Sequence, residues 1–321
     1  MKQPCVPISI VVPVYNGMTT ITLCLPALLA QQGATLGKDF EIIVVDDGST
    51  DGSGDYIARH FPEVRLIQHT ENRGRIEARL NGVQAARFDR ILLIDIRVIA
   101  DLNLLKSYWA IGTPSPCMAV EVADKARQQP LKRVFHCLRT AYYQSDNLPE
   151  SEQRLAITHE NFLRSRKGTT AIFLDRQTYL DSLPERRDKT VNDDTRLFAS
   201  MVKEGPLFRD YRLRITYLHR PTLTEELPHL YERGVRFADY YLTSGGAYRW
   251  HAGVIFIASL LATGMLIWQP AFTSSGLLFL FACTCIWLAR RPMDLIWLIL
   301  YLPILLPTFA TGALIGILSP R

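Results

Sequence analysis

Three short apolar runs in the first hundred residues each end in side chains able to do polar chemistry. Ile42-Ile43-Val44-Val45 leads into Asp46-Asp47-Gly48-Ser49-Thr50-Asp51. Ile8 to Val12 leads into Pro13-Val14-Tyr15-Asn16-Gly17, and Ile91-Leu92-Leu93-Ile94 into Asp95. Continuous branched apolar runs of this length predict strands buried on both faces, as in a parallel sheet. Ligands of open α/β sheets bind just beyond the carboxyl ends of the strands. Carboxylates set there are costly to desolvate unless they bind something. A further acidic pair, Asp193-Asp194, opens a helical pattern. Acids are favoured at a helix start by the dipole alone, and a general base acting on a bound hydroxyl uses the same residue type.

The elements that must position these residues alternate. Thr19 to Gln32, Gly52 to His60 and Arg75 to Ala86 read as helices, the last with Ile76, Leu80 and Val83 on one face. Val64 to Ile67 is a further strand, and the whole is a βαβ layout with its polar ends along one sheet edge. Leu102 to Ala110 is helical, Pro114 to Glu121 is loop then strand, Thr169 to Leu174 is a strand and Asp193 to Glu204 a helix. Lys132 to Tyr143 is amphipathic, with Lys132, Arg133 and Arg139 opposite Val134, Phe135, Leu138 and Tyr142. It reads either as an ordinary surface helix or as one lying near anionic headgroups. The polar stretch Gln144 to Arg154 reads as a mobile loop on the acceptor side. Leu223 to Tyr241, apolar and charged by turns, is expected to lie along a membrane.

Four motifs in order give the chain a family resemblance: Val12-Pro13-Val14-Tyr15-Asn16, Val45-Asp46-Asp47-Gly48-Ser49-Thr50-Asp51, Asn72-Arg73-Gly74-Arg75-Ile76-Glu77-Ala78-Arg79-Leu80-Asn81-Gly82, and Asn192-Asp193-Asp194-Thr195-Arg196-Leu197. Their order and spacing resemble those of family 2 glycosyltransferases, inverting enzymes that use nucleotide sugars. The resemblance implies an α/β fold of the GT-A type, a Rossmann-like mixed sheet flanked by helices. It also implies roles. Pro13, Tyr15, Asn16, Asp46 and Asp47 would form the nucleotide site, with the Tyr15 ring on the base and the Asp47 carboxylate accepting an imino N–H. The other reading of Asp47 is a cap at the strand–helix turn. Arg73 and Arg79 could meet phosphate oxygens, or pair with Glu71, Glu77 or Asp51. Asp194, beside Asp193, maps to the general base.

One position departs from the family. The Asp-x-Asp pair that holds Mg²⁺ or Mn²⁺ reads Asp95-Ile96-Arg97 here, a guanidinium in place of the second carboxylate. Arg97 faces the leaving diphosphate as a fixed cation, or Asp95 holds a metal with help from the phosphates, or the site is inactive; the plain reading of Arg97 is an ion pair with Asp95 or another acid. Arg249-Trp250 lacks the rest of a processive signature and reads as an interfacial anchor.

Of the 321 residues, 48% are hydrophobic, and the excess is concentrated after His251. Only Arg290, Arg291, Asp294 and Arg321 are charged there. The rest of the chain keeps a net charge near +3, which argues against a nucleic-acid binder. The six cysteines show no disulfide or zinc spacing and read as reduced thiols. No secretory signal is read at the start.

The expected organisation is a catalytic domain at 1–222, juxtamembrane helices at 223–251, and a transmembrane region at 252–321 with spans near 252–268, 274–289 and 294–318. Arg233, Arg236, Arg249 and the Arg290-Arg291 loop would face the cytoplasm. The third segment, carrying Pro303 and Pro307, spans or re-enters. The reading is therefore a multi-pass plasma (inner) membrane glycosyltransferase with a cytoplasmic catalytic domain. It moves a sugar from a nucleotide sugar, a UDP-sugar foremost, to a lipid-linked or cell-envelope glycan acceptor. Polyprenyl phosphate is the alternative acceptor. A non-catalytic scaffold among envelope-assembly partners is the rival from another class.

Overall fold

The computed structural model describes residues 5–121, 129–143, 153–168, 170–189, 191–220, 222–243 and 246–318. Most of the loop expected at Gln144 to Arg154 lies outside them. The chain divides into two compact units. Unit 1 comprises residues 1–124, 147–189 and 193–219, and unit 2 comprises 125–146, 190–192 and 220–321. The helix near Lys132 therefore falls in unit 2, although it lies within the expected catalytic stretch.

Unit 1 begins as the alternation predicts: β1 (Ile8–Val14), α1 (Met18–Leu29), β2 (Phe40–Asp46), α2 (Ser53–His60), β3 (Arg65–Gln68), α3 (Arg75–Ala85) and β4 (Arg90–Ile94). Strands β1 to β4 are parallel, in the order β3-β2-β1-β4, with Val14 opposite Asp46 and Asp46 opposite Gln68. Their runs are apolar throughout because both faces are covered: Ile10, Val11, Val12, Ile43, Val44 and Leu92 are all fully buried. Each such side chain contributes about 1.5–3 kcal/mol by leaving water.

The second half of unit 1 widens the sheet. It contains β5 (Val98–Ala100), α4 (Leu104–Ala110), β6 (Cys117–Glu121), β7 (Arg154–Ile157), β8 (Ala171–Asp175), α6 (Arg176–Asp181), α7 (Asp193–Glu204) and β9 (Leu207–Tyr217). The order is β3-β2-β1-β4-β8-β6-β9-β5, with β7 also on β9. Strand β8 is antiparallel to β4 and to β6, and β6 is parallel to β9. The carboxyl ends of β6 and β9 therefore share an edge with those of β1, β2, β3 and β4. The long strand β9 escapes the sequence reading because its Arg-Asp-Tyr-Arg-Leu-Arg stretch lacks a clean apolar alternation.

Unit 2 is helical. It holds α5 (Pro130–Tyr142), α8 (Leu223–Phe237) continuing into a π-helical turn at Ala238–Leu242, α9 (Arg249–Trp268), α10 (Pro270–Leu288) and α11 (Pro292–Leu318). Thr222 caps α8 through its side chain, which accepts from the Glu225 N–H. Helix α10 is longer than expected. Pro270 takes its first turn, where the missing N–H costs nothing, so the anticipated loop shrinks to Gln269. Helix α11 continues through Pro303 and Pro307. It is long and apolar enough to cross a membrane, with mean hydropathy 2.0, the one such helix among the described residues; α9 and α10 include side chains outside them. At its start Asp294 is buried, paired with Arg133 of α5 at 2.8 and 2.5 Å.

Candidate active site

The loops at the carboxyl edge of unit 1 hold one another in place. Asn16 takes a positive φ of 49°. Its N–H donates to Ser49 Oγ and its Oδ1 accepts from Thr50 N–H, both at 2.9 Å. Gly17 N–H donates to Ser53 Oγ at 2.9 Å and Met18 N–H to Asp51 at 3.1 Å. The β1–α1 loop is thus latched to the β2–α2 loop. Tyr15 is left half-exposed above this frame, beside Pro13. Asp46 turns back on its own loop and accepts from Ser49 N–H at 3.1 Å. Gly48 allows the β3–α3 loop to come close: a Cβ there would overlap the Glu71 backbone, and its φ is +71°.

Asp47 sits at the centre of this edge and is buried. Its carboxylate accepts the N–H groups of Arg73 and Gly74 at 2.8 Å each, and His69 Nδ1 lies 2.8 Å from Oδ1. Asn81 donates to His69 Nε2 at 2.9 Å. With Asn81 donating to Nε2, the Nδ1–H donates a hydrogen bond to Asp47. Asp47 binds the start of α3, not that of α2, so it is no cap of its own strand–helix turn. An ionised carboxylate has about four acceptor positions, and three are filled here.

The start of α3 carries Arg75 and Arg79 on one face, one turn apart. Arg75 meets Asp193 at 2.6 Å. Arg79 is buried and meets Asp193 at 3.1 Å and Asp194 at 3.0 Å. Two arginines of α3 thus hold two aspartates at the first turn of α7. Arg79 takes neither Glu71, Glu77 nor Asp51 as partner; Glu77 lies instead near Arg187. Desolvation opposes the charge of Arg75, but Asp193, Asp194 and Asp95 outweigh it and hold its pKa above the ordinary value. Arg73 is exposed and makes no ion pair among the described residues.

Asp95 follows β4, and its N–H donates to Thr170 O at 3.0 Å. Its carboxylate accepts from Arg97 N–H at 2.9 Å. The Arg97 side chain is anchored through Nε to Leu218 O at 2.9 Å. It makes no ion pair with Asp95 or any other described acid. The remaining guanidinium N–H groups are thus spare for an anion. Further along the edge, Glu121 at the end of β6 accepts from Arg166 and lies against His219 Nε2, both at 2.6 Å. Burial raises the Glu121 pKa, but His219 and Arg166 outweigh it and hold it at about 2.

The structure places Pro13, Tyr15, Asn16, Asp46, Asp47, Arg73, Arg79, Asp95, Arg97, Asp193 and Asp194 all in unit 1. Asp47, Arg79, Asp193 and Asp194 converge around the start of α3. His69, Arg75 and the Glu121–His219 pair were not singled out from sequence. The available signal for His69 was its position, directly after a strand like Asp47 and Asp95. Among the described residues no group of three or more His, Cys, Asp or Glu side chains could hold a metal.

The model of the glycosyl transferase family 2 matches residues 9–96. The uncharacterized glycosyltransferase EpsJ of Bacillus subtilis is 42% identical over 268 residues, covering 74% of this chain and 71% of that protein. The uncharacterized glycosyltransferase YibD of Escherichia coli is 34% identical over 91 residues, 27% of this chain and 25% of that one. For several curated relatives the chain spans well under half of their length. Among solved structures, the mannosyltransferase PcManGT of Pyrobaculum calidifontis, in complex with GDP-Man and Mn²⁺, aligns with a TM-score of 0.50. The alignment covers 98% of this chain and 76% of that one at 15% identity, a likeness of fold.

Proposed function

The chain belongs to glycosyltransferase family 2, and we propose that this glycosyltransferase moves a sugar from a UDP-sugar to a lipid-linked or envelope glycan acceptor at the cytoplasmic face of a membrane. The observation that carries the reading is the convergence of Asp47, Asp95, Arg75, Arg79 and Asp193-Asp194 on the carboxyl edge of one sheet.

In this reading the Tyr15 ring packs on the nucleobase, and the one acceptor position left on Asp47 takes a base N–H. Arg97 and Arg73 face the diphosphate with guanidinium groups that have no carboxylate partner. Mg²⁺ is commonly bound through one or two carboxylates plus substrate phosphates, and the donor set at Asp95 fits that pattern. Asp95 would hold such an ion, Mg²⁺ or Mn²⁺, and the ion would offset charge on the leaving diphosphate.

The acceptor hydroxyl attacks the anomeric carbon from the face opposite the diphosphate. A C–O bond forms to the acceptor, the bond to the diphosphate breaks, and the configuration inverts. Asp194 takes the hydroxyl proton, held in aim by Arg79, while Asp193 is committed to both arginines. Unit 2 supplies the membrane attachment. Helices α9 and α10 expose apolar side chains such as Ile255, Leu261, Phe279 and Leu280, and no charged residue lies between His251 and Arg290. The Arg290-Arg291 loop marks the cytoplasmic side of an inner membrane.

Titration calorimetry with UDP on detergent-purified protein, with Mn²⁺ and then with EDTA, tests this. Binding lost in Asp47→Ala supports the site. Dependence on metal assigns the diphosphate charge to an ion at Asp95, and indifference to EDTA assigns it to Arg97. No binding of UDP contradicts the proposed donor.

A further inference from the structure

Within the membrane reading proposed above, on which this inference rests, composition marks α11 as a membrane crossing. The packing of unit 2 points elsewhere.

Helix α8 runs along α11 with their backbones in contact. A Cβ on Gly312 would overlap the Tyr231 carbonyl, one on Gly234 the Phe309 carbonyl, and one on Gly316 would crowd Val235. Tyr231 to Val235 and Gly312 to Gly316 each advance four residues, so the helices lie side by side in the same direction. Leu230 joins the same buried cluster as Leu302 and Leu305, extending the contact toward the middle of α11. The opposite face of α8 is charged and exposed, with Glu225, Glu232 and Arg233, and Arg236 pairs with Glu232 at 2.8 Å. Charges of this density are not held at hydrocarbon depth. At its other end α11 is tied to a second amphipathic helix. Asp294 is buried against Arg133 of α5 and also accepts from the Arg290 and Arg291 N–H groups at 3.2 and 2.9 Å.

A helix bound along its length to polar-faced helices cannot cross the bilayer without dragging their charges in. The outer face of α11, with Ile299, Leu300, Ile304, Leu306 and Ile315, is exposed and apolar. That is the makeup of a slab charged on one side and greasy on the other, which lies flat at a lipid surface. Helices α9 and α10 have 20 and 19 residues. At 1.5 Å per residue each is about 30 Å long, the thickness of the hydrocarbon core.

We infer that α11 lies along the membrane surface on α8, that only the α9–α10 hairpin crosses the bilayer, and that the carboxyl end of α11 stays on the side of unit 1.

Full-length variants with the native cysteines replaced test this, each carrying one new cysteine: Arg59→Cys on exposed α2 as the reference, Gln269→Cys between α9 and α10, and Arg321→Cys. Each is treated with a membrane-impermeant maleimide in sealed right-side-out and inside-out vesicles. Arg321→Cys should label in the same vesicle orientation as Arg59→Cys, and Gln269→Cys in the opposite one. Labelling of Arg321→Cys from the opposite orientation, or only after detergent, overturns the inference. So does Gln269→Cys labelling with Arg59→Cys. A chain that stays soluble instead of floating with the vesicles contradicts the membrane reading itself, a separate failure. Retained UDP affinity of each variant checks that it is folded.

Discussion

Units 1 and 2 treat apolar side chains in opposite ways. In unit 1 the large apolar residues exposed among those described are Tyr15, Leu23 and Leu102. All the others lie between Trp250 and Leu318. Unit 1 hides its aliphatics under helices. Unit 2 turns its aliphatics outward and buries a charge pair, Arg133–Asp294, inside. The reversal fits the membrane attachment proposed for unit 2. A patch of this size on a soluble surface would be an aggregation liability.

The largest effect expected to sharpen this contrast is in unit 2. Arg133→Ala leaves Asp294 buried without its partner and should cost about 3–5 kcal/mol. Replacing both residues with apolar ones of similar volume should recover most of the loss, read as thermal unfolding in detergent. Next, Leu92→Ala in the fully buried β4 should cost about 2–5 kcal/mol. Leu278→Ala on the exposed face of α10 should change stability by less than about 0.5 kcal/mol. Equal costs at the two leucines would break the comparison.

Asp47→Ala removes the acceptor for two buried N–H groups and for His69. A loss of about 2–3 kcal/mol in UDP binding, roughly 100-fold, follows by calorimetry.

The smallest effect concerns pH. Glu121 sits at about 2 in the folded chain against an ordinary 4.5. A lowered carboxylate pKa stabilises above the unfolded value, and the gain is lost as pH falls from about 4.5 toward 2. Unfolding midpoints at pH 7 and pH 3 should therefore differ less in Glu121→Gln than in the parent.

The first half of the fold was legible because β1, β2 and β4 are unbroken apolar runs and their acidic ends stand out. Strand β9 was not legible, since its three arginines and Asp210 hide a strand whose neighbours supply the partners: Asp210 is fully buried between Arg154 and Arg212. In the site, residue types were legible but partners were not. Nothing in the spacing of Arg79 and Asp194 says that residues 115 apart meet at 3.0 Å. The strand-end position of His69 was legible, but not that its ring meets Asp47 at 2.8 Å. The packing of α8 on α11 was not legible: composition alone reads 294–318 as a segment that spans or re-enters. Nothing in the sequence says that Gly312 and Gly316 let the α8 backbone approach.

The central claim is sugar transfer at the edge holding Asp47 and Asp194. Its most direct test is transfer from labelled UDP-sugars to a lipid acceptor extract by the full-length protein and by Asp194→Asn, with UDP affinity measured on both. Transfer by the parent, a roughly 100-fold or greater fall in Asp194→Asn, and equal UDP affinity are the predicted result. Transfer undiminished in Asp194→Asn would contradict the role given to Asp194 and turn the acceptor toward one already anionic. No transfer or hydrolysis of any UDP-sugar by the parent would contradict the account of the donor.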